Sequence, residues 1–137
     1  MLSAPPPGPI LRAVRNGCQE IGLPDALYIA EDLDLWLRFF QQLGVETVTS
    51  KSCKDPVGAG KKLARAEFCA PMVAYHGHVA HLLDEVDFVF APIYLEAGSS
   101  SDEVRRQNCY YSQYASPLTD MMATGGKGVV LRPLITK

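Results

Sequence analysis

This 137-residue chain has no long apolar run, no surplus of basic residues and no export signal, and each absence closes off a class of function. Lysine and arginine number 13 against 15 aspartates and glutamates, for a net charge of −2. A balance of that kind implies no basic face, and so no nucleic-acid partner. No apolar stretch reaches the length needed to cross a bilayer, so no membrane role is expected. The opening Met1-Leu2-Ser3-Ala4-Pro5-Pro6-Pro7-Gly8-Pro9 is too proline-rich for the apolar core of a signal peptide. It reads as part of a stiff lead-in over residues 1–18, a linker from a preceding domain. The expected setting is the cytoplasm, where the four cysteines stay reduced. Signature loops are missing as well. There is no C-x-x-C, no G-x-x-x-x-G-K-[ST] and no glycine fingerprint after the first expected strand, which disfavours a Walker-type nucleotide site and a dinucleotide site. Gly125-Gly126-Lys127-Gly128 precedes a strand instead of a helix and is read as a turn.

What is present is the pattern of one α/β domain over residues 19–137, long enough for a single core. Residues 19–24 read as a short strand ended by Gly22 and Pro24. Trp36, Phe39, Phe40 and Leu43 fall at i, i+3, i+4 and i+7, an amphipathic helix closed by Gly44. The alternating, β-branched Val45-Glu46-Thr47-Val48-Thr49-Ser50 is a strand, and residues 51–67 are a loop with a short helix. Helical spacing returns from Pro71 to Val86. Asp87 to Ile93 then runs apolar, as a strand covered on both faces does. Residues 96–107 are expected as an exposed loop, 117–123 as a helix and 129–135 as a final strand. This order implies an open three-layer sandwich, a mostly parallel sheet of about four strands with helices on both faces. A chain that begins in a linker and stops just past a strand reads as a piece of a larger protein.

Chemistry concentrates in Glu67-Phe68-Cys69-Ala70-Pro71-Met72-Val73-Ala74-Tyr75-His76-Gly77-His78 and in Asn108-Cys109-Tyr110-Tyr111-Ser112-Gln113. Cys69 stands just before a proline able to open a helix, where backbone N–H groups point outward and suit a metal-binding or nucleophilic sulfur. Two cysteines forty residues apart are equally read as small buried hydrophobes. Cys18 and Cys53 have no comparable setting and are read as incidental. His76, His78 and His81 lack the i, i+4 spacing of helical zinc pairs, which favours histidines lining a cleft over histidines holding a metal. Gly77 between two histidines points to a close approach of another backbone. Glu31, Asp32 and Asp34 are helix-start carboxylates. In an open parallel sheet, ligands gather beyond the carboxyl ends of the strands. Leu23-Pro24-Asp25, Pro92 to Glu96, Cys69 and Cys109 are therefore expected to share one rim.

These residues resemble a known family. Ile21-Gly22-Leu23-Pro24, Ala26-Leu27, Glu31, Trp36, Phe39-Phe40 and Leu43-Gly44-Val45 are similar to the domain of 2-hydroxyacyl-CoA dehydratase activase-related proteins. The similarity continues through Cys69-x-Pro71, His76-Gly77-His78, Asp87-Phe88-Val89-Phe90-x-Pro92 and Asn108-Cys109-x-Tyr111-x-Gln113, and so covers roughly Glu20 to Ile135. The superfamily includes 2-hydroxyglutaryl-CoA dehydratase subunits and benzoyl-CoA reductase. In it, cysteines of this kind bind an iron–sulfur cluster that takes an electron from an ATP-driven activator and passes it to a CoA thioester. The resemblance implies that Cys69 and Cys109 are cluster ligands, with His76 and His78 shaping the cofactor cleft. It implies as partners the other domains of the parent protein or an ATPase activator, with a CoA thioester as substrate. The family carries a lysine between the proline and the histidines, whereas this chain has Met72-Val73-Ala74-Tyr75 there. The resemblance also implies a further cysteine downstream, which these residues do not include, so the chain is expected to supply part of a site. Two other readings stand beside this one: an interaction module that docks an ATPase partner without metal, and a zinc site built from Cys69, Cys109 and a histidine.

Overall fold

The computed structural model describes residues 17, 20–64, 66–97, 106–107, 109–111, 113–115, 119 and 128–136. Its elements are β1 (Glu20–Leu23), α1 (Leu27–Glu31), α2 (Leu33–Gln42), β2 (Glu46–Thr49), a 3-10 turn (Ser50–Ser52), α3 (Pro56–Leu63), α4 (Ala70–Glu85), β3 (Phe88–Phe90), β4 (Ile93–Ala97), β5 (Arg106–Gln107), β6 (Val129–Leu131) and β7 (Leu134–Thr136). One sheet has the order β2-β1-β3-β6, and every pairing in it is parallel. Ile21, Gly22 and Leu23 are buried on both sides because β1 is a central strand. The expected proline-rich lead-in falls almost wholly outside the described residues.

Which helix covers which face follows from the two-residue period of a strand. Phe90 packs on Trp36 and Phe40 of α2, with ring centroids 4.6 and 5.1 Å apart. Its neighbour Val89 points the other way and is in register with Gly22. A Cβ on Gly22 would stand 2.9 Å from Cγ2 of Val86 and 3.2 Å from Leu82. So α2 lies on one face and the end of α4 on the other, giving the three-layer sandwich. α4 is buried almost all round, from Met72 to Leu83, because α3 covers the side turned away from the sheet. The α3–α4 contact is reciprocal: a Cβ on Gly60 would run into the carbonyl of Val73, and one on Gly77 into that of Pro56. The close approach expected at Gly77 is therefore a helix–helix crossing.

Local chemistry explains the boundaries. The Gly44 N–H donates to Gln41 and the Val45 N–H to Phe40, with Gly44 at φ 73°, so α2 ends in a glycine-closed double turn. Asp55 caps α3 by accepting from the Gly58 N–H at 2.9 Å, and Pro56 opens the helix. The buried stripe of α2 is Leu33, Trp36 and Phe40, whereas Phe39 and Leu43 are 39% and 37% exposed. The expected stripe is thus narrower than its apolar spacing implied.

Both expected apolar strands, 87–93 and 129–135, are broken by proline, which corrects the sequence reading. Asp87 to Ile93 is not one strand: β3 stops at Phe90, Ala91-Pro92 intervene, and β4 joins a second sheet of order β5-β4-β7. Residues 129–135 divide in the same way at Arg132-Pro133. The breaks lie side by side, bridged by Ala91 N–H to the Leu131 carbonyl at 2.8 Å and Ile93 N–H to the Pro133 carbonyl at 2.9 Å. Neither proline has an N–H to continue the ladder, so one parallel ribbon bends there and feeds both sheets. The expected loop over 96–107 has strand at each end, and its residues 98–105 are not described. Helix begins directly after Cys109; the expected helix over 117–123 lies outside the described residues except for Thr119, which is helical.

Candidate functional site

Cys69 and Cys109 occupy equivalent positions. Cys69 precedes the first helical residue of α4 with extended backbone (φ −61°, ψ 152°), and its carbonyl accepts from the Val73 N–H at 3.1 Å. The Cys109 carbonyl likewise accepts from the Gln113 N–H at 3.1 Å, and residues 110–111 and 113–115 are helical. Each sulfur therefore sits at a helix start, and both cysteines are exposed. An aromatic contact joins the two segments. The ring of Phe68, next to Cys69, meets that of Tyr111, two residues past Cys109, edge to face at 5.9 Å. On the same rim Tyr110, Tyr111 and Tyr114 are 74%, 54% and 62% exposed.

His76 and His78 go separate ways, since two residues is more than half a helical turn. His76 turns toward the cysteines, its ring 5.6 Å from Phe68 and perpendicular to it. It is only 1% exposed, and neither ring nitrogen has a hydrogen-bond partner among the described residues. Burial holds its pKa below the ordinary histidine value. His78 faces Asp25 and Ser50, just past the carboxyl ends of β1 and β2. Burial lowers its pKa too, opposed by the Ser50 backbone and the Asp25 carboxylate and reinforced by His81. Its Nδ1 has no partner among the described residues.

Around His78 lies a polar group that the sequence reading missed. Asp25 N–H donates to Ser50 Oγ at 2.8 Å, and Ser52 Oγ lies 2.9 Å from His81 Nε2. Glu85 Oε1 stands 3.4 Å from the same Nε2. Serine, histidine and carboxylate thus meet, but a nucleophile triad needs the carboxylate on the other ring nitrogen. This group ties the 3-10 turn to α4. A second missed cluster lies between α2 and β4. Trp36 Nε1 donates to Tyr94 Oη at 2.8 Å, across 58 residues of sequence. The Tyr94 pKa is raised to about 12, by burial first and then by the charge of Asp32 and a hydrogen bond with it, against the opposing Trp36 bond.

An open depression of about 500 Å³ lies beside the cysteine rim, lined by Lys61, Ala64, Ala66, Glu67, Phe68 and Val73. Among the described residues no three His, Cys, Asp or Glu side chains stand together as a metal-holding group, and no helix is long and apolar enough to cross a membrane. The ring of Phe68 thus touches both His76 and Tyr111 of the Cys109 segment, whereas His78 lies near Asp25 and Ser50. Cys53 is half-buried on the loop between the 3-10 turn and α3.

No curated protein and no solved structure matches the chain. A family model does, over residues 20–135, nearly the whole described fold. That family is the CoA enzyme activase uncharacterised domain (DUF2229), and this chain belongs to it.

Proposed function

We propose that this domain contributes two thiolates, Cys69 and Cys109, to an iron–sulfur cluster serving a CoA enzyme activase or 2-hydroxyacyl-CoA dehydratase system. The observation that supports the reading most is the pairing of two exposed helix-start cysteines through the Phe68–Tyr111 contact. The donor set fits half of a four-cysteine cluster, the other ligands coming from elsewhere in the assembly. When bound, the cluster would supply one-electron chemistry driven by ATP hydrolysis in an activator and directed to a CoA thioester.

The chain's own residues have simpler tasks. Cys69 and Cys109 hold metal at two helix starts, where free backbone N–H groups favour an anionic ligand set. Phe68 and Tyr111 keep water from one side of the sulfurs. His76 and His78 belong to the wall of α4, one toward the sulfurs and one toward Asp25 and Ser50. Anaerobic reconstitution of the full-length parent protein with iron and sulfide tests this. Wild type should take up both, and the Cys69→Ala and Cys109→Ala variants should lose most of that uptake. Equal iron and sulfide content in all three proteins would overturn the reading.

A second reading rests on the exposed row Tyr110, Tyr111 and Tyr114, a surface suited to docking an ATPase partner without any metal. It requires that an activator ATPase bind the Cys69→Ala/Cys109→Ala double variant as tightly as wild type. Loss of binding in that variant would remove it.

A further inference from the structure

The α2 face of the four-stranded sheet is covered unevenly. Residues in register on neighbouring strands point the same way, so Phe88, Phe90, Val129 and Leu131 all share the face on which Phe90 meets α2. Toward the carboxyl ends of β3 and β6, Phe90 and Leu131 are buried. At the amino ends, Phe88 is half-buried and Val129 is 56% exposed. α2 adds to this bare end. It connects two parallel strands and so runs back toward their amino ends, which puts Leu43 there and Phe39 one turn behind. Phe39 packs edge to face on Trp36, which itself covers Phe90, so Phe39 lies on the β3 side of its helix. Phe39, Leu43, Phe88 and Val129 thus border one apolar corner that no described element covers.

The chain enters the fold at this corner. β1 starts there, with Glu20 in register with Glu46, Ile21 with Phe88, and Phe88 with Val129. Three residues earlier Gly17 forms a turn at φ 76°, a conformation that suits glycine and lets the chain change direction. Ahead of that turn Ile10, Leu11 and Val14 interleave with Arg12 and Arg15, and residues 1–19 include no aspartate or glutamate. Carboxylates stand at the strand starts instead: Glu20 opens β1, Glu46 opens β2 and Asp87 directly precedes β3. Six residues separate Val14 from Glu20, a reach of about 20 Å, whereas β6 lies two strands from β1, about 10 Å.

We infer that this corner is the docking site of residues 10–15, which lie outside the described residues. Ile10, Leu11 and Val14 cover Phe39, Leu43, Phe88 and Val129, and Arg12 and Arg15 face the carboxylates of Glu20, Glu46 and Asp87. Apolar area, charge of opposite sign and the point at which the chain enters all select this segment. The lead-in that its prolines mark as a linker then ends in a strap that completes the α2 layer. This inference involves neither cysteine and is independent of the cluster reading.

The test is limited trypsin digestion of the full chain, with cleavage after Arg15 followed by mass spectrometry and binding of a hydrophobic fluorescent dye read in parallel. Val129→Asp, at an exposed position, should speed that cleavage at least tenfold over wild type. Leu11→Asp, outside the folded core and four residues from the cleaved bond, should do the same and raise dye fluorescence several-fold. Glu46→Lys should speed cleavage by a smaller factor, more so at low salt. Equal cleavage rates in wild type, Val129→Asp and Leu11→Asp would overturn the inference. So would equal dye binding by wild type and Leu11→Asp, which would leave the corner open to another partner. A wild-type dimer in sedimentation that Val129→Asp dissociates would assign the corner to a second copy of the chain and overturn it as well.

Discussion

Two aromatic clusters of this domain, one in the core and one reaching the surface, each contain buried polar ring atoms, and they treat them in opposite ways. Between the sheet and α2, Phe90, Phe40 and Trp36 pack ring on ring, and Trp36 donates its N–H to buried Tyr94. At the cysteine end, Phe68, Tyr111 and His76 also meet ring on ring, yet both nitrogens of His76 lack partners among the described residues. The first cluster is finished and the second is not. Burial with satisfied polarity is how a core gains stability, whereas buried polarity without a partner among the described residues costs stability.

The largest effect should come from the finished cluster. Phe90→Ala is expected to cost about 3–5 kcal/mol in urea unfolding, because a fully buried ring leaves a cavity. Tyr110→Ala, at the unfinished end and 74% exposed, should stay within about 0.5 kcal/mol. If the two costs came out alike, the contrast between the regions would be broken. Next comes the helix crossing that packs α3 onto α4. Gly77→Ala drives a methyl group into the Pro56 carbonyl, and its expected cost is about 3 kcal/mol by the same measurement.

Third is alkaline stability. The Tyr94 phenol ionises at about 12 when folded against an ordinary 10.0, so its contribution is whole below pH 10 and is lost as pH rises toward 12. Wild type should lose about 2–3 kcal/mol across that window, and Tyr94→Phe should show a flatter profile in denaturant titrations. Smallest in stability but decisive for function, Cys69→Ser and Cys109→Ser should each cost under about 0.5 kcal/mol, since both side chains are exposed. Metal binding should nonetheless be lost in both. A large unfolding penalty in either would assign that cysteine to the core.

Much of the fold was legible because its signals are local. The closure of α2 at Gly44, the extent of α4, the β2 strand and the parallel order of the sheet follow from spacing, turn residues and β-branching. What escaped depends on distant partners. Pro92 and Pro133 look like strand residues until their alignment removes the donors from both sides of one ladder step. Phe39 and Leu43 keep helical spacing, but the sheet has room for only the narrower stripe through Trp36 and Phe40. At the site, the helix start at Cys69 was readable from Pro71, while the one at Cys109 carries no proline or capping signal. The divergence of His76 and His78 was implicit in their i, i+2 spacing. Trp36–Tyr94 and Asp25–Ser50 were not, since nothing in the local sequence links residues 58 or 25 positions apart.

The most direct test of the contrast between the two clusters is the stability of metal-free His76→Leu in urea at neutral pH. Replacing a buried imidazole that has no hydrogen-bond partner among the described residues by an apolar group of similar size should raise the unfolding free energy by about 1–2 kcal/mol. A loss of stability of the same size would mean that His76 is a satisfied core residue, and that the cysteine end is as finished as the sheet.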